Sequence, residues 1–510
     1  MELSTTHWTA VLLGGLALVY LALKPLSSPK GVPFPPGPRG FPIVGNLFDL
    51  PWKEGWMIPV LYRDIGRQLK SDVLHFTLLG KHIIVLNSKE ATHELLEVRS
   101  GKYSDRPRLN LLRHVMGLDW LAAIMPYGND WRDMRRAYHM NFGVAEHRSA
   151  ETKSARALLR DLLATPDDFM AHCRQVTTST TLDVAYGLDV QHGDQYTQTG
   201  ANVLSAVVYG TSVLALVLDA IPSLMNIPHG ILRSLYWKSW GYRKSIGDML
   251  SSPWKAAIES QDQSRQSVAA TTKKLQSEGY YQDASQDVAK ELPANIFFSG
   301  ANTPVSASGT FFLAMAKYPD VQRRAQEEID RVVGTDRLPT FADDADLPYV
   351  NALVKEIFRW RPTAPLAIPH ASMEDDTYNG LFIPKDSLVL GNSWAILHDE
   401  KTYPDPERLL PERWLGKEKD FPDAAFGFGR RHCPGKQLSR EWMFITFASI
   451  LATYNVSKAV DASGKEIEPV DDYSATVFSY PAPFQCRIEP RSDAARRLIE
   501  TSAEEDLFAA

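Results

Sequence analysis

Of the three cysteines in the chain, Cys433 has neighbours suited to holding a thiolate. Residues 426–435 read Phe-Gly-Phe-Gly-Arg-Arg-His-Cys-Pro-Gly. Cations, backbone N–H groups and a helix N-terminus all favour the ionised sulfur. Arg430 and Arg431 supply charge, and a helix is expected just after Cys433, with Pro434 suited to its first position. Gly429 and Gly435 let the backbone approach a flat ligand closely. Phe426 can screen the sulfur. The chemistry this suits is ligation of a haem iron, where a thiolate pushes electron density onto the metal and favours O–O cleavage. The alternative is a buried structural cysteine ahead of a helix. Cys173 and Cys486 lack such surroundings and are assigned to the core.

The segment resembles the haem-binding signature of the cytochrome P450 family, Phe-x-x-Gly-x-Arg-x-Cys-x-Gly, at every fixed position, and the resemblance extends over nearly the whole chain. By spacing, Glu356 and Arg359 are i, i+3 helix neighbours, an ion pair worth a few tenths of a kcal/mol at a surface. The resemblance implies a structural triad of Glu356, Arg359 and Arg413 beneath the haem. Trp131-x-x-x-Arg135 is similar to the family's propionate-binding pair, both side chains being donors to carboxylates. Arg132 and Arg136 are rivals for that role. His370 and Arg431 are further implied propionate partners. Residues 299–303, Ser-Gly-Ala-Asn-Thr, resemble the oxygen-activation segment. There Thr303 could hydrogen-bond dioxygen, and Asn302, replacing the usual acid, could orient water. Pro304 is expected to kink this helix, since it removes an N–H and crowds the Gly300 carbonyl.

These residues need a scaffold. The 510 residues are 44% hydrophobic and 23% charged, an ordinary globular balance. A net charge of −6 without a Lys/Arg block argues against nucleic acid as a partner. No linker or repeat divides the chain after residue 50. The expected fold is mainly α with small β-sheets, the cytochrome P450 fold as one catalytic domain over 51–490. Residues 1–24 are expected to be a transmembrane anchor: 3–23 carry no charge, while Lys24, Lys30 and Arg39 follow and favour a cytosolic domain. Glu2 and the lack of a small-x-small site argue against a cleaved signal peptide. The prolines of 25–50 suggest a stiff hinge, and 491–510 reads as a polar tail. A hairpin is predicted at 73–86 and a helix capped by Ser88. Further helices are predicted from Pro293, over 320–333, over 348–360 and over 437–453.

The resemblance implies a haem b enzyme inserting one oxygen atom from O2 into a lipophilic small molecule. It is similar in character to fungal secondary-metabolism members through segments such as Tyr103-Ser104-Asp105-Arg106-Pro107. No nucleotide-binding glycine motif occurs, so NADPH and flavins would belong to a partner NADPH-cytochrome reductase. The expected location is the endoplasmic reticulum membrane. Rival readings are a reductase-independent haem-thiolate isomerase or dehydratase, and a non-catalytic haem carrier or sensor. Expected cavity walls are the segment after Pro107 and residues 203–218, 297–303, 363–368 and 476–480. They are apolar enough for a terpenoid, a polyketide or an indole.

Overall fold

Helices dominate the chain, as the runs of 3.6-residue periodicity require. The computed structural model describes residues 28–29, 31–49, 58–141, 147–190, 193–220, 233–259, 266–281, 287–416, 420–474 and 477–508. The expected membrane anchor, residues 1–24, lies outside these. Among the described residues no helix is long and apolar enough to cross a membrane.

The principal helices are α1 (Ile58–Leu69), α2 (Asn129–Asn141), α3 (Arg148–Ala164), α4 (Phe169–Tyr186), α5 (Gln195–Gly210), α6 (Arg233–Glu259), α7 (Val288–Lys317), α8 (Pro319–Val332), α9 (Pro348–Trp360), α10 (Lys436–Thr453) and α11 (Asp493–Phe508). The strands are β1 (Val73–Leu78), β2 (Lys81–Leu86), β3 (His370–Ala371), β4 (Asp376–Tyr378), β5 (Leu381–Ile383), β6 (Leu388–Gly391), β7 (Tyr454–Lys458) and β8 (Cys486–Pro490). They form sheets of order β1-β2-β6-β3, β4-β5 and β7-β8. The predicted hairpin pairs Val73 with Leu86 through Leu78 with Lys81. Its turn residues Leu79 and Gly80 both have positive φ, the geometry that matches strand twist.

Ser88 caps the next helix by accepting from the Ala91 N–H, as predicted. That helix is α only over Lys89–Thr92 and then widens to i→i+5 bonding over His93–Val98. Such wide turns gather at functional sites, and this one sets the Leu96 carbonyl against the loop bearing Cys433.

Helix α7 begins five residues before the predicted Pro293, because the Asp287 side chain caps it through the Lys290 N–H. It continues as helix through Pro293 and Pro304, with no interruption at the site of the expected kink. Side chains add donors to the carbonyls there: Asn302 to Phe298, Thr303 to Ser299, Thr177 to Ala301 and Tyr480 to Asn302. The residues after 490 are not a loose tail. Ala495, Leu498, Ile499 and Ser502 form an i, i+3, i+4, i+7 stripe that seats α11 on α3 and α10, with Ile499 fully buried. Dense charge on the other faces hides this stripe from a composition-based reading.

Two hydrophobic clusters share α7. Ala307 to Ala316 belong to one, with α3, α4, α8, α9 and α10. Leu292 to Ala301 belong to the other, with α2, α5 and α6. Residues 302–306 of α7, which include Asn302, Thr303 and Ser306, therefore fall where the clusters meet, and a cavity lined by Thr303 and Pro304 opens there.

Candidate active site

The loop before α10 is fixed by its own backbone. The Cys433 N–H donates to the Phe426 carbonyl at 2.8 Å, and the His432 N–H to the Gly429 carbonyl at 3.1 Å. Gly429 has φ +53°, and a Cβ there would lie 1.9 Å from the Leu96 carbonyl oxygen. Close approach to the widened helix is therefore what this glycine permits. Gly435 is the N-cap of α10. Burial pushes the Cys433 thiol above its usual range, opposed by the Gly435 N–H and the Arg135 charge. The sequence reading assigned that charge to Arg430 and Arg431. In the fold Arg430 bonds to Ser100 and Tyr127, while Arg431 donates to the carbonyls of Ser104, Ala122 and Met125. Phe426 packs edge-on to Phe358 at 5.0 Å.

Cys433 lines a cavity of about 290 Å3 together with Phe426, Gly435, Thr303 and Pro304. Residues within 298–303 and 363–368, and Phe478, contribute as expected. Residues 203–218 do not: they divide into α5 and a short helix, Val213–Ala220, whose buried side chains join the second hydrophobic cluster. The segment after Pro107 is absent from the walls as well, until Ala122 and Ala123.

The rim of this cavity carries Arg106, Trp131, Arg135, His370 and Arg431. Helix α2 separates the rivals: Arg132 and Arg136 are exposed, and Arg136 pairs with Asp133. Arg135 turns inward and donates to the His432 carbonyl at 2.7 Å. The Arg431 guanidinium lies 4.4 Å over the Trp131 ring. Arg106 donates to the carbonyls of Ala123, Ile368 and Pro369. Among the described residues none of these three arginines has a carboxylate within ion-pairing distance. Burial lowers all three, Arg431 to about 9. Guanidinium groups keep their proton in proteins, so the site holds buried positive charge that calls for an anion. A thiol facing apolar walls, with three cations and an indole at the rim, fits a haem with its iron, macrocycle and propionates.

His370 is buried, and its Nδ1 lies 2.7 Å from the Tyr103 carbonyl, which makes Nδ1 the protonated nitrogen. Burial and the Arg106 charge hold the ring neutral. Its Nε2 is then an acceptor, so a carboxylate beside it would have to restore the second proton.

Thr303 faces the cavity and donates to the Ser299 carbonyl at 2.8 Å. Asn302 does not line it. Its amide is buried and donates to the Phe298 carbonyl at 2.8 Å. Successive helix residues project about 100° apart, so the two side chains cannot share one face. The expected water-orienting role of Asn302 has no such geometry here.

Glu356 and Arg359 are fully buried and joined by two bonds of 2.8 Å. Arg413 reaches the same carboxylate at 3.1 Å, with the Leu410 N–H and Trp414 Nε1 at 2.9 Å. Spacing alone suggested a weak surface pair; tertiary packing makes it an interior hub. Arg106 and Glu151 are among the cavity residues that sequence reasoning missed. Arg106 had a signal in its motif, whereas Glu151 of α3 had none.

Comparison with known proteins agrees with this geometry. The profile of the cytochrome P450 family matches residues 35–481. Cytochrome P450 monooxygenase 208 of Postia placenta is 38% identical over 96% of this chain and 96% of its own length. Cytochrome P450 monooxygenase COX2 of Coprinopsis cinerea is 36% identical, covering 99% and 97%. Tryptamine 4-monooxygenase of Psilocybe cyanescens is 33% identical, covering 90% and 93%. The chain belongs to the cytochrome P450 family. Membership implies an oxidoreductase with a haem held by a cysteine thiolate, a redox partner and a small-molecule substrate.

Proposed function

We propose that this chain is an NADPH- and O2-dependent monooxygenase of fungal secondary metabolism, with Cys433 as the iron ligand. The observation that carries it is the Cys433 thiol opening into an apolar cavity whose buried arginines lack carboxylate partners. Arg106, Arg135, Arg431 and Trp131 would hold the propionates, and Phe426 would shield the sulfur. When bound, the haem supplies the redox chemistry that activates dioxygen. Cys433 would hold the iron as a thiolate, its ionised form favoured by the Gly435 N–H and the Arg135 charge against the burial that raises the thiol. The apolar walls orient a lipophilic substrate and exclude bulk water. The Thr303 hydroxyl, at the cavity face, positions water and passes protons. One oxygen atom would enter the substrate and the other leave as water, using two protons from solvent and two electrons that originate from NADPH on a partner reductase.

In this reading residues 1–24 anchor the chain in the endoplasmic reticulum membrane with the catalytic domain in the cytosol. The uncharged run 3–23 and the basic residues after it support that placement. One relative is named for tryptamine; an indole is one lipophilic class suited to such walls. The test is NADPH-dependent oxygen uptake and 18O incorporation in microsomes, with product identified by comparing metabolites of a gene-deletion strain and its parent. Turnover without any reductase would overturn the proposal in favour of an isomerase or dehydratase. Deleting residues 1–24 should release protein from membranes with its haem spectrum intact.

A further inference from the structure

We propose that Glu151 is an internal acid that passes protons from a surface cleft between α3 and α4 into the cavity holding Cys433 and Thr303. The proposal rests on the reading of that cavity as the monooxygenase site.

Glu151 lies in the first turn of α3, is 1% exposed and lines the cavity. Among the described residues neither carboxyl oxygen has a hydrogen-bond partner. Two charges bear on it, and they oppose each other. Arg148, one turn away, is held by Glu441 of α10 through bonds of 3.0 and 3.2 Å. Glu441 itself adds like charge. From α2, Arg135 and Tyr138 border the cavity; α4 contributes the hydroxyls of Thr180 and Thr181 but no charge. Burial first, then Glu441, raises the Glu151 carboxyl to about 9, with Arg148 opposing. At neutral pH it is a protonated acid, able to donate a hydrogen bond and to release a proton. Asn302, beside Thr303 in sequence, can do only the first.

A second cavity of about 330 Å3 opens between α3 and α4, bordered by Lys153, Asp161, Asp183 and Asp189. Thr180 borders both cavities. Its hydroxyl donates to the Val176 carbonyl, which leaves its lone pairs to accept. Ser154 follows Glu151 by one helical turn and borders the cleft, and its buried Oγ also has no partner among the described residues. The exposed Asp189 and partly buried Asp161 and Asp183, then Ser154 and Thr180, and then Glu151 thus form a polar succession across an apolar helix interface. Buried polar atoms of this kind are the usual hosts of ordered water. A proton given by Glu151 to water in the cavity is replaced by one arriving through the cleft. The carboxyl returns to its starting state, and no electron moves.

The experiment follows the C=O stretch of protonated carboxyls by infrared difference spectroscopy on the full-length haem protein in membranes. Coupling is measured beside it as product and peroxide per NADPH. Wild type should show a D2O-sensitive band at neutral pH that Glu151→Gln removes. Thr180→Val should keep the band and slow its H/D exchange severalfold. Both variants should lose product per NADPH and gain peroxide at unchanged haem content. Wild-type coupling should fall as pH passes about 9, while that of Glu151→Gln stays low and flat. The proposal is overturned if Glu151→Gln removes no band. It is also overturned if Thr180→Val exchanges and couples as wild type does, a result that can be read even where Glu151→Gln fails to fold. If wild type forms no NADPH-dependent product, the monooxygenase reading fails, and band and exchange still decide whether the acid and its route exist.

Discussion

Glu356→Ala should be strongly destabilising, although Glu356 does not line the cavity. The carboxylate accepts five hydrogen bonds: two from Arg359, and one each from Arg413, the Leu410 N–H and Trp414. Its removal leaves Arg359, which is fully buried, bonded only to the carbonyls of Leu397 and Arg408. Leaving one partner of a buried pair uncompensated costs about 3–5 kcal/mol. Total stability of a folded protein is about 5–15 kcal/mol, so the variant should fold poorly and hold little haem. Arg413→Ala should be milder, because its side chain sits near the surface and Arg359 keeps Glu356. Glu356→Gln should fall between the two, since its NH2 would face donors. The assay is haem per chain and denaturant midpoint of the soluble fraction. A loss of only about 1 kcal/mol in Glu356→Ala, as for an exposed pair, would refute the reasoning.

Three other outcomes are expected. Gly429→Ala should abolish haem binding, because its Cβ would strike the Leu96 carbonyl at 1.9 Å in a left-handed backbone conformation; the haem-to-protein absorbance ratio reads this. Glu151 has a folded pKa raised from 4.5 to about 9, so its stabilising contribution is complete below 4.5 and is lost as pH rises through about 9. The unfolding free energy of Glu151→Gln, read from denaturant midpoints, should therefore gain on that of wild type between pH 5 and 9, by up to about 1.4 kcal/mol per pH unit, and a constant gap would contradict a buried, protonated acid. Thr303→Ala should keep its haem, yield less product per NADPH and release more peroxide; an unchanged product-to-NADPH ratio would remove Thr303 from the proton path.

What the sequence made legible was whatever lies within one turn or one loop. The ten residues around Cys433 are contiguous, Glu356 and Arg359 share a helix face, and Trp131 and Arg135 are one turn apart. Helices α8, α9 and α10 fall within a residue of their periodic patterns. The remainder depended on tertiary approach. Arg135, 298 residues before Cys433, is the cation that bears on the sulfur, while the adjacent Arg430 and Arg431 turn elsewhere. Asn302 and Thr303 are neighbours in sequence, but the helix turns only Thr303 toward the cavity. Glu151 has no local pattern around it; only the packing of α3 on α10 brings it to the site.

The central claim is that the Cys433 thiolate ligates the iron, and the reduced carbon-monoxide difference spectrum of the purified full-length protein tests it most directly. Wild type should show the long-wavelength Soret band of a thiolate-ligated haem, and Cys433→Ala should lack it even where haem remains bound. Retention of that band in Cys433→Ala, or its absence in haem-loaded wild type, would contradict the account.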